Sequence, residues 1–174
     1  MSDYRTLNPA TGKTEKTFSP LNDREMYAKL ETAHRVWDDD WRHRPFAERR
    51  KVVQAAADTL RRDKEKHARI MAVDMGKVLA EGINEIELTA DILSYYAENA
   101  EAFLAPRELA VKSGKARLIN QSLGVIYCVE PWNFPYYQLA RVAAPNLIAG
   151  NTVMVKHAES VRQCALAFEA GLRE

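Results

Sequence analysis

Two short apolar runs in the last third of the chain constrain its fold more than any other feature. One run spans 124–129, and the second, 152–155, follows a helical stretch over 137–149 that ends at Gly150. Runs of this length are typical of strands that are buried on both faces of a parallel sheet. A further helix is predicted from about Ser160. Strand, helix, strand and helix with short links predict a parallel βαβ unit, the arrangement of nucleotide-binding sheets.

Helices are predicted to dominate the part of the chain that precedes these strands. The first begins at Asn22, because Glu25 three residues later completes a capping-box pattern. Apolar residues at helical spacing predict a second helix from about Phe46 and a third that ends at Gly76, a natural C-terminal cap. A fourth helix is predicted over 79–104 and ends just before a proline.

The sequence divides into three parts. Residues 1–106 are predicted to form an extended arm over 1–20 and then the helices. Residues 107–123 are predicted to form a β-hairpin with a turn at 112–115. Residues 124–174 hold the βαβα unit, and two parallel strands do not complete an open sheet. The predicted fold class is therefore α/β: a helical N-terminal region that leads into the first half of a Rossmann-like parallel sheet, truncated inside its last helix.

The charge balance argues against several classes of partner. The 174 residues include 25 basic and 24 acidic side chains, a net charge of +1, so neither nucleic acid nor an anionic membrane is an expected partner. No apolar run reaches the roughly 20 residues of a membrane span, and the N-terminus lacks the apolar core of a signal peptide. The two cysteines form neither a disulfide framework nor a metal-ligand spacing. We therefore predict no metal site and a cytoplasmic location.

No Gly-x-Gly-x-x-Gly or Walker-type loop is present, so the standard nucleotide fingerprints are absent. A different set of motifs runs through the whole chain in order: Asn8-Pro9-Ala10-Thr11-Gly12-Lys13, Met75-Gly76-Lys77, Pro131-Trp132-Asn133-Phe134-Pro135 and Gly150-Asn151-Thr152-Val153-Met154-Val155-Lys156. These motifs closely resemble the N-terminal part of the aldehyde dehydrogenase superfamily. The resemblance implies an NAD(P)-dependent oxidoreductase with an incomplete aldehyde dehydrogenase fold. It also implies that 1–106 belong to a cofactor-binding domain and that 107–123 form an oligomerisation hairpin.

Asn133 is the catalytic residue that the resemblance implies for this chain. The family forms a thiohemiacetal between a cysteine and the aldehyde, and hydride then passes to the nicotinamide. The developing oxyanion needs neutral hydrogen-bond donors, and the Asn133 carboxamide is implied to be one of them. The competing interpretation is an asparagine that caps the turn between a strand and a helix. The surrounding motif favours the catalytic role.

Four cofactor-binding residues are implied around the ends of the two strands. Lys156 and Glu159 follow the second strand, where open parallel sheets bind ligands, and are implied to contact the adenosine ribose. Val129 and Trp132 are implied to line the same cleft. A carboxylate at Glu159 would repel a 2′-phosphate, so NAD is favoured, with NADP as the alternative. His157 stands where the family often has proline, and we interpret it as a surface histidine.

Arg141 is the most informative residue for the substrate. It follows Asn133 by eight residues, about two helical turns, so the two side chains can face one cavity. Many family members have an aromatic residue at this position. Succinate-semialdehyde dehydrogenases have an arginine there, which binds the distal carboxylate of the substrate. The resemblance therefore favours succinate semialdehyde, against the competing interpretation of an ordinary exposed arginine.

Neither cysteine has the surroundings of the family's nucleophile. Cys128 lies in an apolar strand with no base to lower its pKa, and Cys164 shares a helix face with apolar residues. The general-base glutamate is missing as well, and Val142 stands where many members have a proton-relaying lysine. We therefore expect the isolated chain to be inactive.

Three functions remain open at this point. The first is oxidation of succinate semialdehyde by a full-length enzyme that forms a homo-oligomer, a dimer or a tetramer. The second is a broad-specificity aldehyde dehydrogenase. The third is a non-catalytic truncated fragment that acts only through its oligomerisation hairpin.

Overall fold

The N-terminal arm folds back on itself as a small hairpin. A computed structural model describes residues 4–173, and in it strand β1 (Arg5–Leu7) pairs antiparallel with β2 (Thr14–Thr17). The predicted turn joins the two strands, and its Gly12 adopts a φ of +68°, a conformation that suits glycine. The arm predicted over 1–20 is thus a hairpin, and its first three residues lie outside the described range.

The four predicted helices are confirmed. They are α1 (Asp23–Asp39), followed by the 3₁₀ turn Trp41–His43, α2 (Phe46–Arg62), α3 (Lys64–Met75) and α4 (Leu79–Leu104). The capping box at the start of α1 is present: the Asn22 side chain accepts from the N–H of Glu25 over 3.0 Å, and the Glu25 carboxylate accepts from the N–H of Asn22 over 2.9 Å. Gly76 ends α3 in the left-handed conformation, as predicted.

The hairpin that the sequence predicts over 107–123 follows α4. Strand β3 (Arg107–Leu109) pairs antiparallel with β4 (Ala116–Leu118). Apolar side chains on and beside these strands are exposed, namely Leu109, Val111, Leu118 and Ile119.

The predicted parallel βαβ unit is also confirmed. Strands β5 (Val125–Val129) and β6 (Thr152–Lys156) pair in parallel, and helix α5 (Pro135–Ile148) connects them. The 3₁₀ turn Glu159–Val161 and helix α6 (Arg162–Gly171) follow.

The prediction that both strands are buried on both faces is wrong. In β5 only Cys128 is buried, while Tyr127 and Val129 are 61% and 65% exposed. In β6 only Thr152 is buried. Within residues 4–173 the sheet has two strands, and α1 and α5 contact it without covering it. The continuous apolar run therefore forms a partly exposed surface.

The hydrophobic core lies among helices α2 to α6, with α4 packed against α2, α3 and α5. Its large buried apolar side chains include Val53, Leu60, Met71, Ile86, Leu93, Ile148 and Phe168. Complete burial of one such side chain contributes roughly 1.5–3 kcal/mol. None of the helices in the described part of the chain has the length and apolarity needed to cross a membrane.

A buried carboxylate joins the N-terminal hairpin to the last helix. Asp74, near the end of α3, accepts from the Thr6 hydroxyl over 2.9 Å and from the N–H of Cys164 over 3.0 Å. The Gln163 amide donates to the same carboxylate over 3.0 Å. These bonds satisfy a buried charge, and one of them also satisfies a free N–H in the first turn of α6.

Candidate active site

The predicted site residues lie at the sheet edge where both parallel strands end. Val129 and Lys156 are direct neighbours in the strand register, and the N–H of Glu130 donates to the Lys156 carbonyl over 3.1 Å. From this edge the chain enters the 130–134 loop after β5 and the 157–161 segment after β6. Open parallel sheets bind ligands at this edge.

Asn133 lies in the exposed part of the 130–134 loop, two residues before α5 begins. Helix α5 begins with Pro135, whose missing N–H and fixed φ are tolerated at a first helical position. The N-cap residue Phe134 supplies no side-chain hydrogen bond to the helix. Asn133 contributes its main-chain carbonyl, not its carboxamide, to the hydrogen bonds among the described residues. The geometry therefore does not support the turn-capping interpretation of Asn133.

A buried carboxylate and a partly buried ammonium group hold the end of this loop, and neither was predicted from the sequence as a site residue. Glu85, from α4, has a side chain that is 1% exposed, and its Oε1 accepts from the N–H groups of Tyr136 and Tyr137 over 2.9 and 3.2 Å. Lys77 pairs with the other carboxylate oxygen and donates to the Asn133 carbonyl over 3.0 Å. The sequence offered one signal for this pair, the Met75-Gly76-Lys77 motif. No local pattern indicates that Glu85 lies beside Lys77.

Arg141 lies on the exposed side of α5. Its Nη1 donates to the Tyr137 hydroxyl over 3.2 Å, and its guanidinium carbon lies 5.4 Å from the centre of the Tyr137 ring. Burial raises the pKa of the Glu130 carboxyl at the start of the loop, and the charge of Arg141 opposes that rise. The Tyr137 ring in turn lies 5.9 Å from the ring of Phe134, centre to centre, so the guanidinium lies near the end of the 130–134 loop.

The end of β6 carries the other predicted cofactor residues, and His157 joins it to α5. Lys156 and Glu159 are exposed. His157 is not the surface histidine that the sequence predicts: it is partly buried, and its Nδ1 accepts from the N–H of Ala158 over 2.8 Å. Its Nε2 therefore carries the proton in the neutral ring and donates to the Pro135 carbonyl over 2.9 Å. Burial lowers the pKa of this histidine.

Two cavities of the structure do not coincide with this sheet edge. Two adjoining cavities of about 260 and 320 Å³ lie at the C-terminal end of α5. Their walls include Phe46, Arg49, Asn120, Gln121 and Ala149. Helix α5 has 14 residues, so its two ends are roughly 21 Å apart. Residues 131–134, which include Trp132, are exposed and line neither of these two cavities.

Comparison with known proteins decides the family. The profile of the aldehyde dehydrogenase family matches residues 1–174, the whole chain. The chain belongs to the aldehyde dehydrogenase family. The predicted resemblance and the mixed α/β fold class are thereby confirmed.

Individual relatives agree with this assignment. The succinate-semialdehyde dehydrogenase [NADP(+)] of Deinococcus radiodurans is 42% identical over 166 residues, which are 95% of this chain and 35% of that protein. The crystal structure of succinic semialdehyde dehydrogenase from Streptococcus pyogenes, in complex with NADP+, matches with a TM-score of 0.94 and 43% identity over 98% of this chain and 37% of that one.

A third relative is the structure of Gox0499, described in terms of cofactor and substrate selection. It matches with a TM-score of 0.97 and 54% identity over 99% of this chain and 38% of that one. The present chain thus spans between 35% and 38% of the length of these three relatives.

The two cysteines of this aldehyde dehydrogenase chain are poor candidates for a nucleophile. Cys128 is buried, and burial raises its pKa to about 11. Burial also raises the pKa of Cys164, and the nearby carboxylate of Asp74 adds to the effect. Both groups are therefore neutral thiols near pH 7, whereas thiolates are the reactive form. This agrees with the sequence-based expectation that neither cysteine is the nucleophile.

Proposed function

We propose that this chain is the N-terminal part of an NAD(P)-dependent succinate-semialdehyde dehydrogenase. Aldehyde, NAD(P)+ and water give the acid, NAD(P)H and a proton. The main support for this substrate is the position of Arg141 beside the Asn133 loop. A guanidinium there suits a substrate with a second carboxylate. The names of the Deinococcus and Streptococcus relatives support the same substrate.

Asn133 stabilises the reaction's oxyanion in this proposal. When a cysteine thiolate from outside the chain attacks the aldehyde, negative charge develops on the carbonyl oxygen. The Asn133 carboxamide donates a hydrogen bond to that oxygen, and as a neutral donor it stays protonated at every working pH. One donor of this kind typically contributes about 10²–10³ in kcat.

The cofactor residues lie at the strand edge in this proposal. The exposed Lys156 and Glu159 offer an ammonium donor and a carboxylate acceptor, a set that suits the hydroxyl groups of a ribose. Val129 and Trp132 offer exposed apolar surface beside them. A nicotinamide dinucleotide bound there would supply the hydride acceptor, and these four residues would bind and orient it.

NADP is the favoured dinucleotide in this proposal, which departs from the preference for NAD that Glu159 indicates. The Deinococcus relative carries NADP(+) in its name, and the Streptococcus structure contains NADP+. Lys156 offers a positive charge for a 2′-phosphate. The ratio of kcat/KM for the two dinucleotides measures this preference.

We also propose that hairpin 107–123 joins subunits of a homo-oligomer. Its support is the row of exposed apolar side chains that includes Leu109 and Leu118, because such surfaces mark interaction sites. Leu118→Lys should lower the oligomeric state of the complete polypeptide, measured by analytical ultracentrifugation.

Arg141→Ala in the complete polypeptide tests the substrate. A charge-assisted hydrogen bond contributes roughly 1.5–3 kcal/mol, so we expect KM for succinate semialdehyde to rise at least about tenfold. KM for an uncharged aldehyde of the same chain length should change little. Arg141→Lys should be intermediate, because an ammonium does not bind a carboxylate in bidentate fashion. Equal effects on both aldehydes would favour a broad-specificity enzyme.

The isolated chain is expected to produce no NADH or NADPH from succinate semialdehyde. Its two cysteines are neutral thiols, so the nucleophile must come from elsewhere in the polypeptide. Turnover by the isolated chain, lost on substitution of either cysteine, would refute this expectation.

A further inference from the structure

An oxyanion donor is effective only if its position is fixed before the reaction begins. The 130–134 loop has little support of its own. Pro131, Trp132, Asn133 and Phe134 are all exposed, and they form no regular structure. The support of Asn133 must therefore come from the elements on which the loop rests.

Glu85 fixes the start of α5, immediately after the loop. Pro135 has no N–H, so the N–H groups of Tyr136 and Tyr137 are the first free donors of this helix. Both donate to Oε1 of Glu85, over 2.9 and 3.2 Å. The carboxylate also interacts favourably with the positive end of the helix dipole. Glu85 thus takes the capping role that Phe134 does not fill.

Lys77 fixes the last residues of the loop itself. Its ammonium donates to the Asn133 carbonyl over 3.0 Å, pairs with Glu85 and lies 4.0 Å from the centre of the Phe134 ring. These contacts hold the peptide group that joins Asn133 to Phe134. Lys77 is itself constrained, because its side chain is 11% exposed and it follows the left-handed cap residue Gly76.

A buried ion pair is weak support for stability alone, since desolvation of both charges offsets their attraction. Apolar side chains of similar volume would pack α4 against the loop as well. Charged groups are needed where main-chain N–H and C=O groups must be held in fixed directions. We propose that Lys77 and Glu85 form a positioning pair that orients the Asn133 carboxamide toward the oxyanion. This inference rests on the proposed function.

A double-mutant cycle on turnover, in the complete polypeptide that contains this chain, tests the pair. Lys77→Met removes the ammonium and keeps the side-chain length. We expect it to lower kcat about tenfold or more. KM for NADP+ should change less than about twofold, because Lys77 contacts Glu85, Asn133 and Phe134, whereas the proposed ribose contacts lie on and after β6. In an Asn133→Ala background, Lys77→Met should lower kcat less than about twofold further, because no carboxamide is left to orient.

Lys64→Met is the matched control. Lys64 and Glu87 form a second ion pair between α3 and α4. The Lys64 ammonium donates to Glu87 and not to a residue of the loop. Its removal should leave kcat within about twofold of the wild type. Lys77→Arg, which keeps a cationic donor, should recover part of the turnover that Lys77→Met loses.

A second variant keeps the test decisive if Lys77→Met fails to fold. The double variant Lys77→Met/Glu85→Gln removes both charges, and the glutamine oxygen can still accept from Tyr136 and Tyr137. It should fold and show the same loss of kcat as the single variant. An equal kcat loss in the wild-type and Asn133→Ala backgrounds, or an equal loss in Lys64→Met, would overturn the positioning role.

Amide hydrogen exchange separates this inference from the proposed function. Loss of the pair should speed amide exchange at Phe134, Tyr136 and Tyr137, whether or not turnover changes, because the end of the loop loses its anchor. Unchanged exchange in Lys77→Met would overturn the positioning pair. A wild-type polypeptide that oxidises no aldehyde would instead overturn the proposed function.

Discussion

The packed helices and the parallel sheet differ in how far their apolar side chains are buried. In α2 to α4, side chains such as Met71 and Leu93 are completely buried. In the sheet, Tyr127 and Val129 are mostly exposed. The Asn133 loop belongs to the exposed unit, yet its anchors come from the buried helical region. A loop on an open surface can thus have its geometry fixed by a separate packed scaffold.

Leu93→Ala should have the largest effect on this comparison. Leu93 is completely buried in α4, so its truncation should lower the free energy of unfolding of the chain by about 2–5 kcal/mol. Urea unfolding followed by circular dichroism measures the change. Leu88→Ala is a suitable control, because Leu88 lies on the same helix and is 45% exposed. Equal losses in both variants would mean that α4 is not the centre of a packed scaffold.

Asn22→Ala should have the next largest effect. It removes the side-chain half of the capping box at the start of α1, which should cost about 1 kcal/mol. Helix α1 has no buried residue, so this variant tests whether α1 unfolds together with the packed helices. A shift of the global unfolding midpoint would show that it does. A loss of helix signal before that midpoint would place α1 outside the scaffold. Asn22→Asp should preserve the cap and serves as the control.

His157 should make a smaller, pH-dependent contribution to the free energy of unfolding of the chain. Burial lowers its folded-state pKa, so the unfolded chain binds a proton first as the pH falls. The contribution is therefore fully present above the ordinary histidine pKa of about 6.5 and is lost below it. His157→Gln keeps a donor for the Pro135 carbonyl but does not titrate. The difference in free energy of unfolding between wild type and His157→Gln should shrink from about pH 7.5 to pH 5.5; a constant difference would contradict the assignment.

Val129→Ala should have the smallest effect. Its side chain is mostly exposed, so the free energy of unfolding of the chain should change by less than about 0.5 kcal/mol. A loss comparable to that of Leu93→Ala would show that the sheet surface is covered in solution. Paired urea unfolding of the two variants makes the comparison directly.

Features set by a few neighbouring residues could be predicted from the sequence. The capping box at Asn22 and the glycine stop at Gly76 each depend on local backbone chemistry, and both are present. The parallel order of β5 and β6 followed from their short helical connection. Burial of these strands was mispredicted, because an apolar run does not reveal whether other elements cover it.

Some residues of the candidate site could be predicted from the local sequence, and others could not. A motif drew attention to Asn133, and the helical repeat indicated that Arg141 lies two turns beyond it. Glu85 was invisible in the sequence because its partners, Tyr136 and Tyr137, lie 51 and 52 residues away. His157 was misjudged because its hydrogen bond to the Pro135 carbonyl spans 22 residues. Only the packing of α4 and β6 against α5 brings these groups together.

The Asp74 junction has a consequence for biosynthesis. Its hydrogen bonds connect residues that are 68 and 90 positions apart, Thr6 to Asp74 and Asp74 to Cys164. A nascent chain cannot complete the junction before residue 164 has left the ribosome. Until then the Asp74 carboxylate lacks the main-chain donor of α6, and the first strand lacks part of its anchor. The strand that contains Thr6 thus reaches its final contacts only after a segment that is synthesised much later has emerged.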